Sequence, residues 1–107
     1  MNQVRRVIEQ MIDISEEEVH SFLSKTTQKT YRKNEILSLP NTIPNEIYFI
    51  EKGLIRVLIT DNEGVEHTIH FALENQFISD YANFIQKQAS YYTLQALEET
   101  HVTIFTR

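Results

Sequence analysis

Ile47-Tyr48-Phe49-Ile50-Glu51-Lys52-Gly53-Leu54-Ile55-Arg56-Val57 is the stretch that decides the fold of this 107-residue chain. Two runs rich in β-branched and aromatic residues flank Lys52-Gly53, and short apolar runs broken by a turn residue read as strands. Gly53 has a physical reason to be glycine if the chain turns there at positive φ, which costs a residue without Cβ little. The stretch therefore predicts strand, turn, strand.

Working outward toward the C-terminus, residues 54–60 and 65–73 flank Asp61-Asn62-Glu63-Gly64, a connection whose glycine suits a hairpin turn. After Glu74-Asn75-Gln76, residues 79–88 carry Tyr81, Phe84 and Ile85 at helical spacing, with Ser79 and Asp80 at the head. That pattern predicts a short internal helix. Residues 91–97 and 101–106 read as the last two strands, joined at Glu98-Glu99-Thr100.

Toward the N-terminus, residues 35–39 form another run, closed by Pro40-Asn41 and a loop through Pro44. Before it, Lys25, Lys29, Arg32 and Lys33 mix with Thr26, Thr27 and Thr30. This is the densest basic stretch, and it reads as a solvated connector in preference to a nucleic-acid patch. Val4, Val7, Ile8, Met11 and Ile12 recur along one helical face. Ser15 and Glu18 fit a capping box that opens a second helix, with Val19, Phe22 and Leu23 on its apolar face. The expected fold is mainly β: a double-stranded β-helix, or jelly-roll-like β-roll, with N-terminal helices and one short internal helix. One domain is expected over 1–107, with a helical lead-in at 1–30 and the roll at 31–107.

Composition narrows the function. A hydrophobic content of 41% with 23% charged residues is that of a globular chain. The absence of cysteine removes disulfides, thiolate metal sites and thiol nucleophiles. No signal peptide and no run approaching the ~20 apolar residues of a membrane span is present, so a cytoplasmic location is expected. Net charge is −5. That balance opposes the phosphate backbone of nucleic acid, which selects clustered Lys and Arg.

The order of these signals resembles the effector domain of Crp/Fnr-type transcription regulators, which is of the cyclic-nucleotide-binding type. The resemblance is carried by Tyr31-Arg32-Lys33-Asn34-Glu35-Ile36-Leu37 and the stretch from Tyr48 to Val57. It continues through Gly64 to Phe71, Phe77 to Phe84, and Gln95-Ala96-Leu97-Glu98-Glu99-Thr100. It implies a sensor domain of a regulator that forms a homodimer at full length, with an effector biasing the position of a DNA-reading module. The dimerisation helix and the helix-turn-helix that the family places next are absent from this chain, so DNA is expected to be reached only through a module outside it.

Two expected features of a nucleotide-binding member are missing. Such members place a glycine-glutamate pair at the head of the internal helix and an arginine before the next strand, holding phosphate and ribose. Here Phe77-Ile78-Ser79-Asp80-Tyr81 and Ala89-Ser90-Tyr91-Tyr92 stand in those places. Asp80 caps the helix amides itself and repels an incoming phosphate. A charged hydrogen bond contributes ~1.5–3 kcal/mol, so the missing arginine alone weakens binding roughly ten- to a hundredfold. The domain is expected not to bind cyclic AMP or cyclic GMP in the usual way. The degenerate pocket is expected from Ser79, Asp80, Tyr81, Ser90, Tyr91 and Tyr92, vestigial or taking a neutral or cationic aromatic effector of unknown identity. For Tyr91 and Tyr92 the simpler reading is that one packs inward and the other outward.

Other classes fare less well. A cupin-type metal-dependent enzyme would use Gly64, His67, His70 and Glu74, with His101 from a later strand. Residues three apart on one strand face opposite sides, so His67 and His70 share a face only across a bulge. Glu16, Glu17 and Glu18 suit a first helical turn, and no serine sits in a glycine-rich nucleophile turn. No catalytic residue, metal site or cofactor is assigned. The third alternative is an interaction domain that binds no small ligand.

Overall fold

The computed structural model describes Arg6, Glu17, residues 25–80, Asn83 and residues 86–106. Eight strands follow in order: β1 (Thr26–Tyr31), β2 (Ile36–Ser38), β3 (Glu46–Lys52), β4 (Ile55–Thr60), β5 (Glu66–Ala72), β6 (Phe77–Ile78), β7 (Thr93–Ala96) and β8 (Thr100–Thr106). They form two four-stranded sheets, β1-β8-β3-β6 and β2-β7-β4-β5, and every pairing is antiparallel. Except within the β4–β5 hairpin, each strand lies in the sheet opposite its predecessor. The chain thus winds between two layers, as the β-roll reading expects.

Gly53 is the corner where the chain leaves one sheet for the other. Its φ is +119°, and a Cβ there would lie 2.7 Å from Thr100 Cα. The return crossing from β7 to β8 runs beside it. Thr100 Oγ1 donates to Glu98 O at 2.9 Å and accepts from Leu54 N at 3.3 Å, while Leu97 N donates to Leu54 O at 2.9 Å. One buried hydroxyl ties both crossings together. The decisive stretch is therefore a strand, a crowded corner and a strand in the other sheet.

Between the sheets lies a core built from alternate residues of each strand, including Tyr31, Tyr48, Ile50, Ile55, Leu94 and Val102. Ile50 and Ile55 are fully buried, and burying such a side chain contributes ~1.5–3 kcal/mol. On the other face of the first sheet Phe49, Phe77 and Phe105 form an aromatic row, with ring centroids 4.9 Å and 5.9 Å apart in succession. Thr103, on that same face, donates to Glu51 Oε2 at 2.6 Å. This sheet is buried on both sides at its centre.

The hairpin expectation holds. Asp61 N donates to Val65 O at 2.9 Å, Gly64 N donates to Asp61 O at 3.0 Å, and Gly64 has a φ of +84°. The Lys25 to Lys33 stretch differs from its reading as a connector, because residues 26–31 form β1, paired with β8 from Thr26↔Phe105 to Tyr31↔Thr100. The roll therefore begins at Thr26. β1 is an exposed edge strand whose one buried side chain is Tyr31, so it lacks the alternation that reveals a strand. β6 is two residues long, too short to show a period. The two leading helices lie outside the described residues apart from Arg6 and Glu17, which are helical.

Candidate functional site

A cavity of about 660 Å³ opens between the two sheets, beside the segment that joins β6 to β7. Its apolar wall includes Leu37, Ile43, Val57, Ile69 and Leu94, and its polar side includes Glu46, Tyr48, Ser79, Asp80, Ser90 and Tyr92. No arginine or lysine lines it among the described residues. Arg56, the cation of the decisive stretch, is not part of the lining and pairs with Glu66.

Asp80 organises the polar side. Its Oδ1 accepts from Asn83 N at 3.3 Å, and its Oδ2 accepts from Asn83 Nδ2 and Ser90 Oγ, both at 2.7 Å. Asn83 and Gln86 are helical, Lys87 sits at a φ of +57°, and Gln88 N returns to Asn83 O at 3.1 Å. Asp80 thus caps the start of the internal helix, and a left-handed residue with a six-to-one hydrogen bond closes its end. Desolvation raises the Asp80 pKa, but the hydrogen bonds from Ser90 and from the side chain and amide of Asn83 together outweigh it and hold the carboxyl below its usual value. It stays ionised at neutral pH.

Ser90 joins this carboxylate to the rest of the wall. Its hydroxyl also accepts from Tyr92 N at 3.0 Å, its amide donates to Thr42 O at 2.9 Å, and its carbonyl accepts from Asn41 N at 2.7 Å. Ser79 Oγ donates to Glu46 O at 2.8 Å, which fastens the helix entrance to the start of β3. Tyr48 is buried and donates to Glu46 Oε1 at 3.0 Å and Leu37 O at 3.2 Å. Burial pushes its phenol far above the usual range, and the neighbouring Glu46 adds to the shift.

Of the residues expected from the sequence, Ser79, Asp80, Ser90 and Tyr92 meet at the cavity. Tyr91 does not: it is 77% exposed, because alternation past the anchored Ser90 turns Tyr92 inward and Tyr91 out. Tyr81 lies outside the described residues. The sequence reading missed Glu46, Tyr48, His70 and the loop at 42–45, which reach the cavity only through pairing across the sheets. Of these, Glu46 was open to inference, since it alternates with Tyr48 along one strand face.

The described histidines do not gather. The register between β4 and β5 shifts between Val57↔His70 and Leu58↔Thr68, so a bulge places His67 and His70 on one face of the hairpin, as the simple alternation does not. Yet His67 Nε2 bonds Asp61 Oδ2 at 2.9 Å, and His101 bonds Thr30 and Glu99 on the other sheet. Among the described residues no three metal-capable side chains come together, and no helix is long and apolar enough to cross a membrane.

This two-layer roll, with a capped helix beside a cavity between the layers, defines a class of small β-roll modules with an internal cavity. The family model for the cyclic nucleotide-binding domain matches residues 28–107. The chain belongs to that family. Solved structures agree on the fold: the catabolite activator protein of Thermus thermophilus matches with a TM-score of 0.76 at 18% identity, over 89% of this chain and 44% of its own. The sensor domain of the transcriptional regulator DNR from Pseudomonas aeruginosa gives 0.81 at 15% identity, over 97% and 74%. A cyclic nucleotide-binding domain from Methylobacillus flagellatus gives 0.84 at 16%, over 99% and 61%. The chain thus spans 44% of the Thermus protein. No curated protein matches the sequence at a significant level.

Proposed function

We propose that this chain is the effector-sensing part of a Crp/Fnr-type transcription regulator whose effector is not a cyclic nucleotide held in the usual way. It is a binding module and not an enzyme. DNA contact and dimerisation belong to segments outside this chain, and an effector in the cavity biases their arrangement. The observation that carries the reading is the network of Asp80 with Ser90 and Asn83. A carboxylate occupies the helix cap where an anion-binding relative would receive a phosphate, and Ser90, close to where that relative's arginine would stand, is committed to the carboxylate.

Titration calorimetry with cyclic AMP and cyclic GMP at millimolar concentration tests this. The expected result is no measurable heat of binding. A micromolar dissociation constant for either nucleotide overturns the reading.

A further inference from the structure

We propose that the cavity takes an organic cation, an amine carried on an apolar, aromatic-sized body, held between the carboxylates of Asp80 and Glu46. This deepens the sensor reading, on which it rests, by naming the ligand's chemistry. It starts from the register of β3 and β6, in which Tyr48 faces Ile78 and Phe49 faces Phe77. Glu46 lies two residues before Tyr48 on β3, and Asp80 two residues after Ile78, just past the end of β6. The hydrogen bond from Ser79 Oγ to Glu46 O, at 2.8 Å, keeps the two segments together at that point.

Both carboxylates line the cavity. No lysine or arginine of the described lining offsets these two negative charges. His70, across the cavity on β5, is the one described lining residue that can carry positive charge. Asp80 draws its hydrogen bonds from the neutral donors of Asn83 and Ser90, and Glu46 from the phenol of Tyr48. Neither is neutralised by these partners.

Leu37, Ile43, Val57, Ile69 and Leu94 give the cavity an apolar wall, and the volume of about 660 Å³ lies within the range of small-molecule sites. An ammonium between the carboxylates with a ring against this wall satisfies both halves of the cavity. An anion of the same shape meets two negative charges, and a neutral alcohol gains only the apolar half.

The test uses three molecules of one shape on the full chain: tryptamine, tryptophol and indole-3-acetate. Thermal-shift and calorimetric titrations are expected to give binding in the order amine, then alcohol, with none for the acid. Glu46→Gln and Asp80→Asn are each expected to weaken tryptamine about tenfold or more and to leave tryptophol unchanged. Glu46→Gln keeps the test valid if the cap variant folds poorly. Acid binding as tight as the amine, absence of amine binding at 10 mM, or an undiminished affinity in Glu46→Gln each overturns the proposal. None of these outcomes bears on the nucleotide reading, which fails only if cyclic AMP or cyclic GMP binds.

Discussion

Replacing Gly53 by alanine is expected to be among the most damaging single changes, and Gly64→Ala supplies its control. Both glycines have positive φ, +119° and +84°, but a Cβ on Gly64 meets nothing within 4 Å. A Cβ on Gly53 falls 2.7 Å from Thr100 Cα and 2.8 Å from Thr100 Cβ. The first of these neighbours is backbone in a fully buried residue and cannot swing aside. A residue forced into a sparsely populated backbone region costs ~1–3 kcal/mol, and overpacking a buried site costs ~1–3 kcal/mol more. Together they give ~4 kcal/mol for Gly53→Ala, whereas Gly64→Ala carries only the conformational part, ~1–2 kcal/mol. For a domain of this size each kcal/mol lowers Tm by ~4–8 °C, so the corner variant should melt more than about 15 °C lower or fail to fold. Urea unfolding measures both variants, with an unchanged m-value showing that the same surface is exposed on unfolding. If the two alanines cost the same to within ~1 kcal/mol, the crowding argument is refuted and Gly53 is an ordinary turn residue.

Four other outcomes follow from the geometry. Asp80→Ala removes a helix cap and leaves the buried Ser90 hydroxyl without its carboxylate partner, which should cost ~1–3 kcal/mol in chemical denaturation. Because the Asp80 carboxyl is held below its usual value in the fold, its stabilisation is present above the unfolded pKa of ~3.9 and lost as pH falls through the folded one. Asp80→Asn should therefore flatten the acid limb of a stability-against-pH curve. Tyr48 and Tyr31 are held above their usual range, chiefly by burial, so their contribution is present below ~10 and fades as pH rises through the folded values. Tyrosinate absorbance of the wild type should include a component that appears together with alkaline unfolding, and Tyr48→Phe should diminish it. Phe49→Ala opens the middle of the aromatic row at a fully buried position and should cost ~3–5 kcal/mol by calorimetric or urea unfolding.

How much could be read in advance depended on whether a feature is local. Gly53 and the Asp61 to Gly64 turn announce themselves because their backbone demands a particular residue on the spot. Asp80 likewise signals a cap through its neighbours in sequence. Strand β1 escaped because Thr27, Gln28, Lys29 and Thr30 all face solvent and the pairing with β8 is what makes it a strand. His70 escaped as a cavity residue because its position comes from register, and the bulge at β5 reversed the sidedness that plain alternation assigns. Tyr91 and Tyr92 look alike in sequence, and only the anchoring of Ser90 by Thr42 and Asn41 decides which one enters.

Strand β8 sits in the interior of its sheet, between β1 and β3. During synthesis the first, third and sixth strands must wait for residues 100–106 before that layer can close. This layer therefore closes only once β8 has emerged. Until then the growing polypeptide shows unmatched β edges to its surroundings, a state that invites aggregation. Chaperone cover until β8 emerges should therefore bear on yield in cells.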